Sequence, residues 1–359
     1  MAKSKKVQTG DIEDSLIKEF GNVFQSADSL RTNPASVIRT TPQLDFILGG
    51  GVPEGSFMLI TGQPKLGKSS VALHIASQAQ KVPWKIYRDG KEIDFGDRTV
   101  YYFDIEGRIK ERDIFSNTNL DLDPDRFKLI KSSVDKIIDG EEFIDIGEQL
   151  IRNKRGGVFI FDSFSALCTS ARKEADIKKR YRDETSLLLS AFCKRIAQVI
   201  PVNKSLVIGI THRIANQGPG MSMWSEASGQ KVQYQADIKL KGMYTEKWEV
   251  SNNLIGQKVF WECQTSALGP PGLKADCKLR YAYGYDEAAE LVDLCCDLNL
   301  LKKSGSWIYH EKDTDKEQKF QGVEKCAEFL RSDPELFNRL RHEIDVQFGF
   351  DKLIGSRNT

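Results

Sequence analysis

Hydrophobic residues along the chain fall into two rhythms, and their alternation predicts the architecture. Short apolar runs rich in β-branched and aromatic residues occur at FMLIT (57–61), TVYYFD (99–104), GVFIFD (157–162) and SLVIGITH (205–212), each followed by helical periodicity. Strands apolar on both faces and separated by helices predict a mainly parallel sheet covered on both sides, with ligands bound beyond the carboxyl ends of its strands. Each run ends in a polar residue, where such a site lies. Between the first helix and the second strand, KIYRDGKEIDF places two alternating runs about Asp89-Gly90, a hairpin signal. It is expected as a surface insertion in preference to an edge strand of the main sheet.

At the amino end, Ile12, Leu16, Ile17 and Phe20 stand at helical spacing, with a stop at Gly21-Asn22, which predicts a short helix on a tether. After LGPPG (268–272) and a strand-like LRYAYGY, the rhythm turns helical in DEAAELVDLCCDLNLL and GVEKCAEFLRSDPELFNRLRHEIDVQF, which flank a short GSWIYH. A chain of 359 residues exceeds one ordinary core. The expected division is an N-terminal segment 1–35, a core 36–285 and a small α-rich C-terminal domain 286–359.

Composition removes several classes of function. There is no apolar run of membrane-span length and no signal peptide, so a soluble cytoplasmic protein without a membrane partner is expected. Seven cysteines without a C-x-x-C pair make neither a disulfide framework nor a zinc site. The net charge of +1 excludes only a globally basic DNA coat; a local basic surface is all that phosphate binding needs.

The chemistry concentrates at strand ends. GQPKLGKSS fits G-x-x-x-x-G-K-[ST] with Gly62, Gly67, Lys68 and Ser69, after a predicted strand and at the start of a helix. In that context the backbone of Gln63, Pro64, Lys65, Leu66 and Ser70 completes a cradle for the phosphates of ATP. Lys68 reaches the β/γ oxygens and Ser69 ligates Mg²⁺. Asp162, ending GVFIFD, supplies a carboxylate for the same metal. YYFDIEG offers Asp104 and Glu106 for positioning water; Glu106 is favoured because it lies beyond the strand end, the alternative being a solvated loop acid.

Two further segments follow these strands. TSARKEADIKKRYRD (169–183) carries Arg172, Lys173, Lys178, Lys179, Arg180 and Arg182, a basic loop suited to a nucleic-acid backbone or, on charge pattern alone, a solvated helical face. His212 ends the last run, placed to sense a γ-phosphate or simply to sit satisfied at a strand end. Beyond it Arg213, Met221, Met223, Trp224, Ser228 and Gly229 fall in a Gly/Ser/Met-rich stretch whose aromatic can stack on bases; a lid or a surface loop is the other reading.

Taken together, these motifs resemble RecA-like recombinases, most closely the bacteriophage UvsX type. TTPQLDFILGGGVPEGSFMLITGQPKLGKSS, YYFDIEG, VFIFDSFSAL, ITHRI and AAELVDLCCDLNLLKKSGSW stand in the family's order over roughly residues 36–345. The resemblance implies a RecA-type P-loop ATPase core and a helical homo-oligomer on single-stranded DNA, with ATP at subunit interfaces and pairing of that strand with homologous duplex DNA. Single-strand-binding and mediator proteins are further partners it implies, and a phage origin would make the host cytoplasm its location. Residue by residue, it makes Lys68, Glu106 and His212 catalytic, His212 in the place of the switch that couples the γ-phosphate to DNA. Segments 169–183 and 214–229 take the places of the DNA loops, and the N-terminal helix with Phe20 docks on a neighbour. Lys231 and Tyr234 look like interface positions, and Phe115 is a candidate for stacking on adenine. One departure stands out. Where the bacterial proteins carry a lysine pair that crosses the interface, CQTSALGPP has Thr265 and Ala267, so that Lys258 or Lys274 substitutes or turnover is slow. A ring helicase on the same fold is an alternative disfavoured by the short N-terminal segment. A filament-forming DNA-binding protein with structural ATP is another.

Overall fold

The computed structural model describes residues 9–21, 36–88, 91–115, 117, 119–170, 184–215, 224–226, 230–311 and 314–351. In chain order the strands are β1 (Val37–Ile38), β2 (Val52–Pro53), β3 (Ser56–Gly62), β4 (Lys85–Arg88), β5 (Lys91–Asp94), β6 (Val100–Asp104), β7 (Phe127–Ile130) and β8 (Val158–Asp162). They continue with β9 (Leu206–Ala215), β10 (Trp224–Glu226), β11 (Ile238–Val250), β12 (Asn253–Thr265), β13 (Lys274–Arg280), β14 (Gly284–Tyr285), β15 (Lys302–Ser304), β16 (Trp307–His310) and β17 (Gln318–Gln321). The helix Thr9–Phe20 and the antiparallel pair β4–β5 fall in one of two compact units, and the main sheet falls in the other.

Among the described residues ten strands form one sheet, in the order β14-β13-β12-β11-β3-β9-β8-β6-β7, with β10 paired to β9. The run from β11 to β7 is parallel throughout. Its apolar strands alternate between two cores, as a sheet covered on both faces requires. Met58 and Ile60 of β3 join Val71, Ile75, Ile160 and Ile208 on one side. Phe57 and Leu59 join Phe103, Phe161, Phe164 and Phe192 on the other.

Beyond β11 the sheet turns antiparallel through β12, β13 and β14, an extension the sequence reading does not foresee. Its signal is present: IKLKGMYTEKWEV and NLIGQKVFWECQT meet at Ser251-Asn252, both in left-handed backbone (φ 50 and 64) that asparagine tolerates and a tight hairpin needs. The strand-like LRYAYGY splits into the end of β13 and the short β14.

The C-terminal part combines the helices Glu287–Asp297, Gly322–Ser332 and Pro334–Phe348 with the small sheet β15–β16–β17, around Leu291, Val292, Leu301, Ile308, Leu330 and Leu340. The long helical rhythm breaks at Asp333, whose side chain accepts the Leu336 N–H at 3.0 Å while Pro334 opens the next helix. Charge ties this part to the core: Arg39 bonds Asp45 at 2.8 Å and grips Asp345 with two nitrogens, and Arg341 reaches both Asp45 and Glu287. Removing one member of such a half-buried network costs roughly 3–5 kcal/mol, because the remaining charges lose their partners.

Candidate functional site

Parallel pairing brings strand ends level, and that is what assembles the site. Gly62 lies in register with His212 across β3 and β9, and Asp104 with Asp162 across β6 and β8. From β3 the chain turns into the helix Lys68–Gln80 through left-handed backbone at Lys65 (φ 65) and Gly67 (φ 80). At Gly67, the residue before the helix, a Cβ would also sit 3.2 Å from Leu279, so glycine meets two demands at once. The open N–H groups of the first turn then point at whatever anion lies beyond Gly62.

Lys68 is 5% exposed, and its ammonium donates to the carbonyls of Gly62 (3.2 Å) and Gln63 (2.8 Å). Burial pulls its pKa down to about 8, against the opposing pull of Asp162 and Glu106. Above that pH the free protein carries a neutral amine that a polyphosphate would reprotonate. Nucleotide binding is therefore expected to take up protons, approaching about one per nucleotide as pH rises through 8, with affinity declining in parallel. Calorimetry in two buffers of different ionisation heat measures this, and a pH-independent zero would separate Lys68 from the phosphates.

Asp162 accepts on its Oδ2 the hydroxyls of Ser69 and Tyr102, each at 2.5 Å. Its pKa is raised by burial, although both hydroxyls work against that shift. A hydroxyl and a carboxylate in contact are hard oxygen donors of the kind Mg²⁺ takes, with phosphate and water completing the shell. Among the described residues no cluster of three His, Cys, Asp or Glu forms a metal cage elsewhere. Buried polar atoms without a partner among the described residues, the Thr61 and Thr211 hydroxyls and Nδ1 of His212, gather at the same strand ends and suit a polar ligand there.

The two acids at the end of β6 make different contacts. Asp104 is buried and accepts the N–H groups of Arg108 (3.1 Å) and Ile109 (3.4 Å), which holds the turn. Glu106, two residues further, reaches the crevice: its Oε1 accepts from His212 Nε2 at 2.5 Å and Ser163 Oγ at 2.7 Å. These hydrogen bonds, His212 first, hold its pKa down to about 2. Ser165 Oγ accepts the His212 backbone N–H at 2.7 Å, so one short turn after β8 grips both Glu106 and His212. Ser163, Ser165 and Tyr102 are absent from the sequence reading; the clue was the hydroxyl at every second position in DSFS.

Residues 26–183 match the family model described as AAA domain, and residues 289–349 match RecA C-terminal domain. Protein RecA of Lactobacillus johnsonii is 24% identical over 361 residues, covering 98% of this chain and 92% of its own. Protein RecA of Bacillus subtilis is 24% identical over 345 residues (93% and 90%), and that of Acholeplasma laidlawii 24% over 364 (98% and 100%). Along nearly its whole length this chain is similar to RecA-like proteins.

The RecA-like P-loop ATPase domain is thus built from the main sheet, and the RecA C-terminal domain from the helices and small sheet that follow. On the far side of His212 the structure corrects the sequence reading. His212 does not end its strand: β9 runs on to Ala215, and β10 folds back on it with Trp224 opposite Ala215 and Glu226 opposite Arg213. Backbone groups beyond the sheet edge need partners, and a hairpin supplies them. Met221, Met223, Ser228 and Gly229 lie outside the described residues, as do Arg172, Lys173, Lys178, Lys179, Arg180 and Arg182.

The positions expected to meet a second copy are carried by several separate elements. Tyr234 is 84% exposed, Phe20 ends its helix with 63% exposure, and Lys231 lies in the short helix Gln230–Gln233. Phe115 ends the helix Glu111–Phe115 and is 62% exposed. Lys258 sits mid-β12 between Glu246 and Lys278, and Lys274 opens β13 opposite Glu262. Thr265 closes β12 directly opposite Lys239, whose ammonium donates to Gln233 at 2.9 Å; Lys241 beside it pairs with Glu262 at 2.8 Å. A cation therefore stands across from Thr265 on the neighbouring strand.

Proposed function

We propose that this chain is an ATP-dependent recombinase that forms helical filaments on single-stranded DNA, hydrolyses ATP when DNA is bound, and pairs that strand with homologous duplex. The observation that carries the reading is the junction at His212. Its imidazole bonds Glu106, its backbone bonds Ser165, and its strand continues into the β9–β10 hairpin within the segment read as a DNA loop. A γ-phosphate that drew His212 toward itself would free Glu106 and pull on that hairpin together, so ATP and DNA would each bias one element.

Within this reading Lys68 neutralises the phosphates, Ser69 and Asp162 hold Mg²⁺, and Glu106 orients water. Mg²⁺ would supply charge withdrawal from the phosphate oxygens. Segments 169–183 and 214–229 face DNA, while Phe20, Lys231 and Tyr234 meet a second copy of the chain. The motif order supports the phage UvsX-type branch, as does the departure at Thr265 and Ala267. That departure also favours a second reading, a filament protein with slow or structural ATP use.

Electron microscopy with single-stranded DNA and a non-hydrolysable ATP analogue should show filaments, and ATP turnover should rise when that DNA is added. Rings would point to a translocating helicase. Filaments whose ATPase ignores DNA would leave the second reading.

A further inference from the structure

Tyr102 is the residue of the site that neither the motif nor the reaction explains. It lies on β6, is 1% exposed, and packs its ring beside Phe127 at 6.4 Å. Phenylalanine would fill the same space. Its neighbour Tyr101 faces the other core and stacks on Phe159, so the two tyrosines do different work. The hydroxyl of Tyr102 donates to Asp162 Oδ2 at 2.5 Å, a short charge-assisted contact, and Ser69 donates to that same oxygen at the same distance.

Two donors on one oxygen fix the plane of the carboxylate, and neither of them holds Oδ1. Ser69, whose O–H donates to Asp162, keeps its lone pairs for the crevice. The hydrogen bonds thus form a chain from the interior of β6 through Asp162 to Ser69.

We propose that Tyr102 is a positioning residue for the divalent cation, its hydroxyl orienting Asp162 and through it Ser69 so that both present oxygen to the metal that accompanies ATP. The inference rests on the reading of Ser69 and Asp162 as the Mg²⁺ pair. If the hydroxyl instead serves only to satisfy a buried polar group, removing it changes stability and leaves metal affinity alone.

The test is a Mg²⁺ titration of fluorescent ATP-analogue binding to the full chain without DNA, with direct Mn²⁺ binding by electron paramagnetic resonance beside it. Tyr102→Phe should move the Mg²⁺ midpoint up by about 10-fold or more, with nucleotide affinity restored at saturating metal. An unchanged midpoint in a variant that needs metal overturns the inference while leaving the site reading intact. If wild-type nucleotide binding ignores Mg²⁺, the site reading itself fails and this inference with it. A double-mutant cycle adds a check that is independent of any general loss of stability. In an Asp162→Asn background, loss of the Tyr102 hydroxyl should add nothing further, and a fully additive effect would overturn the proposal.

Discussion

Lys68→Ala is expected to abolish measurable nucleotide binding while leaving the fold in place. Among the described residues the ammonium of Lys68 is tied to the loop carbonyls of Gly62 and Gln63, partners that a bound phosphate would replace. Losing charge-assisted hydrogen bonds worth roughly 1.5–3 kcal/mol each to two phosphate groups predicts an affinity loss on the order of 10²–10⁴-fold. Alanine is a good residue for the first turn of a helix, so thermal unfolding should change little. The two measurements together decide the matter: calorimetric binding lost with the unfolding temperature retained supports the assignment. Unchanged ATP affinity in a folded variant would move the phosphates away from GQPKLGKSS.

Glu106→Gln should behave in the opposite way, keeping nucleotide and DNA binding while hydrolysis slows by about 10²–10⁴-fold, the usual contribution of a positioned base. The amide retains an oxygen for His212 and Ser163, so the arrangement of the turn survives and only proton acceptance is lost. With a pKa held to about 2, Glu106 as seen here is too weak a base to help water attack at neutral pH. The first cause of that depression is the His212 hydrogen bond. Withdrawal of His212 is therefore expected to raise the Glu106 pKa. Single-turnover hydrolysis with and without single-stranded DNA reads the effect directly. Near-normal turnover in the variant would assign the water to another group.

These expectations show where local signals suffice. Three of the four apolar runs become β3, β6 and β8 to within a residue at each end, and the fourth becomes the first part of β9, because a strand buried on both faces has little freedom in composition. The Gly-Lys-Ser turn is equally legible, since its backbone conformation and its chemistry demand the same residue types. The helix Gly140–Asn153 shows the same agreement: DGEE carries a capping box, with Asp139 and Glu142 each serving the other's backbone N–H.

Other elements depend on partners far along the chain. Nothing in YYFDIEG tells Asp104 from Glu106 beyond their order. It is the turn after β6 that consumes the first and the strand β9, more than a hundred residues away, that engages the second. The antiparallel extension β11–β12 escapes because a half-polar hairpin resembles loop until it is laid beside β3. His212 looks like a strand end because the hydrophobic run stops there, whereas the strand continues through main-chain pairing that side chains do not advertise.

By itself, then, the amino-acid sequence determined the parallel P-loop sheet and the phosphate turn and singled out Lys68, Ser69, Glu106 and Asp162 as candidates, because periodicity and motif spacing are local properties of the chain. The tertiary structure alone decided that Tyr102 and Ser69 share one oxygen of Asp162. It alone decided that Ser163 and His212 share one oxygen of Glu106, and that Lys239 stands across from Thr265. Those contacts join residues on different strands, and strand order and register, which set them, are properties of the assembled sheet.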